Sequence, residues 1–444
     1  MLNLITFNRW WDTGEVEKVY LKPYKRRLFY TIKKFLEKRQ IILIYGLRRT
    51  GKTVLMYQLI DFLLKSGVDK KRILYFSFDE KIASLEELFR TYKELVLGKD
   101  ILKEKRIYVF LDEIQKLENW QNQLKIFYDL YPNVKFIVSG SASLVISKGA
   151  KESLAGRVYE FVLPLLSFYE YLDFLGEKIP SVENIFNLSQ LKEIYLKKER
   201  IVPLFFSYLK NGGFIEIAKE EDELEIKEYS KSILEKIIFA DIPLSFKIKE
   251  PQILRAILEL TASHPGFLLD YSKLAEIFKK DQRVISNYVF YLAYSLLIKL
   301  FYNFSGSRFV SERKLKKVYL GSTNFIFQFF PEKISQPEFL GKMIENLVAM
   351  FLDNNFFWKE RQNEVDFVLK NNIPLEVKYK DKIEGKDLKS IFKFSQKFGS
   401  QKAIILTKEE LKKEKINHLQ IYFIPVWIYL LKSDEILSGD NFVP

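Results

Sequence analysis

The sequence predicts an α/β protein: a parallel, doubly wound sheet followed by a helical stretch, a helix-turn-helix with a hairpin, and a second small α/β region. Three observations carry that expectation. Short β-rich runs alternate with helically spaced stretches between Ile41 and Pro164. A glycine-rich loop stands between the first strand and the first helix, and a second pair of acid-bearing strands returns only near the C-terminus.

Taken in order, Ile41–Tyr45, Ile73–Phe78, Ile107–Leu111 and Val134–Ser139 read as buried strands, with helical spacing over Thr53–Lys65 and Leu85–Leu97 between them. From about Ser167 to Ala240 the pattern is helical and rich in Phe, Tyr, Glu and Lys, which suits a lid. Ser272–Phe278 and Gln282–Ser295 read as two helices joined by the turn Lys279-Lys280-Asp281. Leu296–Phe304 and Arg308–Leu320, around Ser305-Gly306-Ser307, read as a hairpin, completing the outline of a winged helix. A helix then opens the last region, and strands follow at Val365–Leu369, Pro374–Tyr379 and Ala403–Leu406. The expected domains are 1–165 for the sheet, 166–245 for the lid, 246–325 for the winged helix and 326–444 for the C-terminal domain.

Composition narrows the chemistry. The 444 residues are 48% hydrophobic, enough for several cores, and include no Cys and only 2 His. Disulfides, thiol catalysis and Cys-based zinc sites are excluded, and a Ser-His-Asp triad is disfavoured. A net charge of +14 permits a polyanionic partner, although the basic residues are scattered. The most apolar runs, Ile41–Tyr45 and Ile421–Leu431, fall short of the roughly 20 residues of a spanning helix. No secretory pattern opens the chain, so a soluble cytoplasmic protein is expected.

Gly46-Leu-Arg-Arg-Thr-Gly51-Lys52-Thr53 fits G-x-x-x-x-G-K-[ST] in the strand-to-helix context the motif requires. Gly46, Thr50 and Gly51 belong to a loop whose backbone N–H groups wrap phosphate beside a helix N-terminus. Lys52 brings a positive charge to the β- and γ-phosphates, and Thr53 offers its hydroxyl to Mg²⁺. Arg48 and Arg49, inside the loop, have two readings, contact with nucleotide or with the lid, and both stand. The strand Ile107–Leu111 ends in Asp112-Glu113. Asp112 is expected to hold Mg²⁺ through water and Glu113 to polarise the attacking water. Ser139 and Ser141, after the next strand, are candidates for sensing the γ-phosphate.

This order resembles an archaeal and bacterial group of P-loop ATPases in the broad AAA-like class. The marks are Asn8-Arg9-Trp10-Trp11, the loop with its Arg pair, Leu74-Tyr-Phe-Ser-Phe-Asp79-Glu80, Leu111-Asp112-Glu113-Ile-Gln115, Ser139-Gly-Ser-Ala-Ser143, and Leu154-Ala-Gly-Arg157 before Leu163-Pro-Leu. The resemblance covers nearly the whole chain and is most specific over its first 165 residues. It implies an ATPase core and lid leading to a winged helix and a domain similar to restriction-endonuclease-fold nucleases. It also implies a fixed arginine at Arg157 that stabilises charge on the γ-phosphoryl.

The C-terminal region carries the second constellation, Glu364-Val-Asp366 followed by Glu376-Val-Lys378. Glu376 and Lys378 share one strand face, and a hairpin would set Asp366 beside Glu376. Two carboxylates and a lysine in an apolar sheet are what metal-assisted phosphodiester cleavage needs. The pattern resembles the D-x(n)-E-x-K signature of the nuclease fold, which implies Glu345 as a third ligand and Lys378 as a catalytic lysine. In the winged helix, Arg283 is placed for base edges or phosphates, and Arg308, Arg313, Lys314, Lys316 and Lys317 for phosphates.

The expected protein is therefore an Mg²⁺-dependent ATPase, binding ATP and ADP, whose nucleotide state gates a DNA-interacting, nuclease-like domain. The alternative is a nucleotide-switched regulator that binds DNA or protein, turns ATP over slowly and cleaves nothing. No membrane partner is expected, and a homo-oligomer is an option.

Overall fold

The computed structural model describes residues 4–80, 82–141, 154–305 and 315–432. Two compact units divide at Pro164.

The first unit holds a five-stranded, all-parallel sheet. Its strands are β1 (Ile41–Gly46), β2 (Ile73–Ser77), β3 (Ile107–Asp112), β4 (Val134–Ser141) and β5 (Val158–Val162), in the order β2-β3-β4-β1-β5. Every residue of β1, β2 and β3 is buried, which is why these strands read as continuous apolar runs rather than alternating ones. The order sets β4 between the strand that ends in the glycine-rich loop and the strand that ends in Asp112.

β2 lies at the sheet edge, where unpaired backbone groups invite a foreign strand. The run Asn8–Trp11 covers that edge. The Asn8 amide donates to Tyr75 O at 2.9 Å and its carbonyl accepts from Tyr75 N at 2.7 Å. Both indoles, of Trp10 and Trp11, donate to Ile73 O at 3.1 and 2.8 Å. The segment thus satisfies an edge that another chain would otherwise extend.

The second unit opens with helices, among them Leu188–Tyr195, Lys198–Asn211 and Glu223–Lys236. Helices Tyr271–Phe278 and Gln282–Tyr294 follow, separated by a turn with Lys279 in the left-handed region. A sheet forms from β6 (Phe267–Leu269), β7 (Ile298–Asn303), β8 (Lys316–Leu320), β9 (Phe356–Glu360) and β10 (Asn363–Val365), in the order β10-β9-β7-β8-β6. Three-residue strands such as β6 and β10 are too short to show a period in the sequence.

A third sheet contains β11 (Phe367–Leu369), β12 (Ile373–Lys378), β13 (Lys402–Thr407), β14 (Lys412–Ile416) and β15 (Leu419–Pro425), in the order β11-β12-β13-β15-β14. The single strand expected at Val365–Leu369 is two strands in two sheets, because β10 pairs with β9 while β11 pairs with β12. Asp366 is the residue at the crossing. The core of this region joins Trp358 and Val365 to Val368, Ile391, Phe394 and Ile405, so both sheets share one apolar interior. No helix among the described residues is long and apolar enough to cross a membrane.

Candidate functional site

The phosphate loop begins at Gly46, where a Cβ would stand 2.4 Å from Leu163 O; only glycine fits there. Arg49 and Gly51 both take positive φ (64° and 92°), turning the chain into the helix Lys52–Lys65. Thr50 is buried and its hydroxyl donates to Leu47 O at 3.0 Å, tying the loop to itself. The Lys52 ammonium donates to Gly46 O and Leu47 O at 3.2 and 2.9 Å, so it lies folded along the loop it serves. Arg48 lies close enough to Asp79 to stabilise that carboxylate, beside the Lys116 ammonium that pairs with it.

Asp112 sits at the centre of a converging set of donors. Its Oδ2 accepts from the Thr53 hydroxyl at 2.6 Å and from the Tyr75 hydroxyl at 3.0 Å. Its Oδ1 accepts from Ser139 and, at 3.1 Å, from the Glu113 backbone N–H. A buried carboxylate with four donors is fixed in direction. Thr53 comes from the helix after β1 and Asp112 from the end of the non-adjacent β3, with Ser139 supplied by the β4 strand between them. Ser141 pairs in register with Gly46 at the mouth of the loop.

Glu113 takes a left-handed backbone (φ 53°) that turns it out of the strand, and Gln115 donates to its Oε2 at 2.5 Å. Burial pushes its carboxyl above the ordinary range; the Lys52 charge opposes that shift and the Asp112 charge adds to it. Burial also raises the Tyr75 phenol, with the charge of Asp112 adding to the effect, so Tyr75 stays a neutral donor.

Arg157 does not belong to this site. It precedes β5 and its carbonyl accepts from Ile41 N at the start of β1, while the loop lies at the far end of β1. Five residue steps of strand, roughly 16 Å, separate the two ends, beyond the reach of one arginine. Its guanidinium pairs instead with Asp129 at 3.1 Å. The expected role on nucleotide held by its own chain is corrected on that ground.

In the second unit the β11–β12 register pairs Phe367 with Leu375, and continuing it by one residue sets Asp366 opposite Glu376. Asp366 Oδ2 accepts from Val377 N at 2.9 Å, and Lys378 pairs with Glu376 Oε2 at 2.5 Å. The carboxylates and the lysine therefore converge. Burial lifts the Glu376 carboxyl to about 8, with Lys378 opposing and Asp366 reinforcing the shift. Burial also acts to raise Asp366, but Lys378, Lys317 and Lys342 outweigh it and hold that carboxyl low. Glu376 Oε1 is buried without a hydrogen-bond partner, as suits an oxygen placed for a cation.

Glu345 does not complete the ligand set. Its Oε1 accepts from Tyr319 at 2.6 Å and lies 3.5 Å from Lys317, while Lys342 holds Oε2 at 2.8 Å. With both oxygens engaged it is a partner of lysines rather than of an ion. Among the described residues no three acid or imidazole side chains form a metal cage.

Lys317 is likewise corrected. Its side chain is 2% exposed and pairs with Glu364 Oε1 at 2.5 Å, so it cannot meet DNA phosphate. Burial acts to lower its pKa, but the charges of Glu345, Asp366 and Glu364 outweigh that and hold it above the ordinary lysine range. Lys316 is half-buried over the rings of Tyr271 and Tyr302. Arg283 is exposed on its helix. Arg308, Arg313 and Lys314 lie outside the described residues.

The sequence assigned no role to Tyr75 or Glu364 and set Lys317 at the surface. Each carried a signal: a tyrosine on the same strand face as Ser77, whose register partner is Asp112, an acid two residues before Asp366, and a lysine alternating with Tyr319 in an apolar strand.

A parallel sheet with this loop and this acid pair defines a P-loop ATPase-like protein, and the family described as AAA domain matches residues 38–172. Two families described as domains of unknown function match residues 202–323 (DUF8612) and 340–429 (DUF4143). Uncharacterized protein MJ1544 of Methanocaldococcus jannaschii is 30% identical over 353 residues, 74% of this chain and 72% of the relative. Uncharacterized protein MJ1637 of the same organism is 27% identical over 427 residues, 89% of this chain and 85% of the relative. An uncharacterized protein of Haemophilus influenzae is 27% identical over 251 residues, 56% of this chain and 57% of the relative. The chain belongs to this family of uncharacterized archaeal and bacterial proteins, with an AAA domain followed by a DUF4143 domain. Among solved structures, C. elegans PCH-2 matches with a TM-score of 0.26 at 15% identity, over 37% of this chain and 48% of that one, too slight a likeness to carry an argument.

Proposed function

We propose that the chain hydrolyses ATP and that its nucleotide state gates a DNA-interacting, nuclease-like C-terminal region. The observation that carries the ATPase reading is Asp112, buried and held by Thr53 of the loop, with the half-buried Glu113 beside it. Magnesium bound with the nucleotide would supply Lewis-acid charge to the phosphoryl oxygens, and Thr53 and Asp112 are the residues that would hold it. Lys52 leaves its loop carbonyls for the phosphates. Glu113 takes the proton of the attacking water, a role that its elevated pKa favours.

For the C-terminal region, the support is the convergence of Asp366, Glu376 and Lys378, with the unpartnered Glu376 oxygen. The helices Tyr271–Phe278 and Gln282–Tyr294 with the β7–β8 pair suit a winged helix, and the exposed Arg283 suits a DNA contact. Domains at 1–165, 166–245, 246–325 and 326–444 are part of the same reading. The burial of Lys317 favours the second reading, a nucleotide-switched regulator without cleavage, since it removes one expected phosphate contact and neutralises part of the acid cluster.

Incubation with linear, nicked, branched and single-stranded DNA, with and without Mg²⁺ and ATP, tests both. Cleavage lost in Asp366→Ala supports the first reading. Binding that weakens steeply with salt, without cleavage, supports the second. ATP turnover absent under every condition refutes both.

A further inference from the structure

Lys317 comes from β8, a strand of the sheet beside the helix-turn-helix, and ends where three segments meet. Its ammonium stands 2.5 Å from Glu364 Oε1, 3.5 Å from Glu345 Oε1 and 3.8 Å from Asp366 Oδ1. The acids belong to β10, the helix Pro337–Met350 and the crossing residue between the two sheets. Phe357 closes one side of the ammonium, with its ring centroid at 5.4 Å. Tyr319, on the same face of β8, donates to Glu345 and so fixes the acid that Lys317 faces.

The cluster matches basic and acidic side chains in number: Lys317, Lys342, Lys359 and Lys378 face Glu345, Glu364, Asp366 and Glu376. Such pairing is what keeps buried and half-buried acids compatible with folding. Within it, the two corners differ. At Asp366–Glu376 one carboxylate oxygen is unpartnered and the pairing Lys378 is 28% exposed. At Glu345–Glu364 a cation is already built in. An ammonium there carries permanent charge and three donors, and neither dilution nor a chelator removes it.

We propose that Lys317 takes the seat of a second divalent ion, so that the carboxylate cluster binds at most one, at Asp366 and Glu376. The inference rests on the reading of that pair as metal-capable. It makes the β8 strand part of the acid site, so a displacement of β8 withdraws a positive charge from Glu345, Glu364 and Asp366 together.

The test counts Mn²⁺ bound by the full chain without nucleotide, from the spectroscopic signal of free Mn²⁺. It compares the wild type and Lys317→Met, each with and without Asp366→Asn; ions lost with Asp366→Asn belong to the cluster. The expected count is one in the wild type and two in Lys317→Met, with Lys317→Arg remaining at one. Two cluster ions in the wild type overturn the proposal, as do equal counts in the wild type and Lys317→Met. No cluster ion in the wild type but one in Lys317→Met refutes the metal-pair reading while leaving Lys317 as the seat-holder. Lys317→Gln repeats the count if the methionine variant fails to fold.

Discussion

Tyr75→Phe removes one hydroxyl and keeps the ring, so its effect reports the bond to Asp112 together with the hydroxyl's interaction with Tyr57. The wild-type hydroxyl donates to Asp112 Oδ2 at 3.0 Å from a strand two places along the sheet from the phosphate loop strand's neighbour β4. The ring packs against Tyr57 at 4.8 Å between centroids, a contact that Phe retains. A hydrogen bond to a charged group contributes about 1.5–3 kcal/mol. Thr53, Ser139 and the Glu113 N–H still hold the carboxylate in the variant, which argues for the lower end. About 1.5–2 kcal/mol corresponds to roughly 10–30-fold in a rate or an equilibrium. The loss should fall on turnover and on the Mg²⁺ concentration for half-maximal hydrolysis, because the proposed role of Asp112 is to hold the ion rather than to act as base. ATP affinity should stay within about twofold, since Lys52 and the loop are untouched. Steady-state hydrolysis across a Mg²⁺ series, beside equilibrium nucleotide binding, reads all three quantities. Turnover and Mg²⁺ dependence both within twofold of wild type, in a folded variant, would refute the assignment of Tyr75 as a positioning residue.

Three further outcomes are expected. Lys52→Ala should lose nucleotide binding, whereas Glu113→Gln should keep ATP bound and lose about 10²–10⁴-fold in turnover; near-normal hydrolysis by Glu113→Gln removes its role as base. Asn8→Ala leaves the N–H and C=O of Tyr75 unpartnered at the sheet edge and should cost about 2–5 kcal/mol in urea denaturation, with greater aggregation as the edge opens. Lys299 is half-buried, donates to Leu352 O and Met350 O, and desolvation lowers its pKa to about 8 from an ordinary 10.5, with Asp353 opposing. The unfolded chain then holds more protons between those values, so wild-type stability should rise across that window by roughly 3 kcal/mol at most. Below about pH 8 the burial penalty is fully present. Lys299→Met should flatten the rise, and an unchanged slope counts against the buried-amine account.

The phosphate loop, the acid pair Asp112-Glu113 and the Asp366, Glu376, Lys378 pattern were legible in the sequence because their chemistry is local. Glycine spacing sets a backbone that wraps phosphate, a strand ending in two acids delivers them to one edge, and a two-residue offset puts Glu376 and Lys378 on one face. What depends on which strands become neighbours was not legible. Strand order puts Tyr75 and Ser139 against Asp112, and it carries Arg157 to the wrong end of the sheet. Asp366 marks a strand break because Val365 and Phe367 pair in different sheets, a choice made by partners far along the chain. Lys317 is the clearest case. As a residue type it is a surface cation, but β8 pairs between β6 and β7 and turns it inward, where Glu345 and Glu364 make the burial of a charge tolerable. Composition decides which groups a chain owns; only the packing of distant segments decides which of them face each other in a medium where a charge must find a partner.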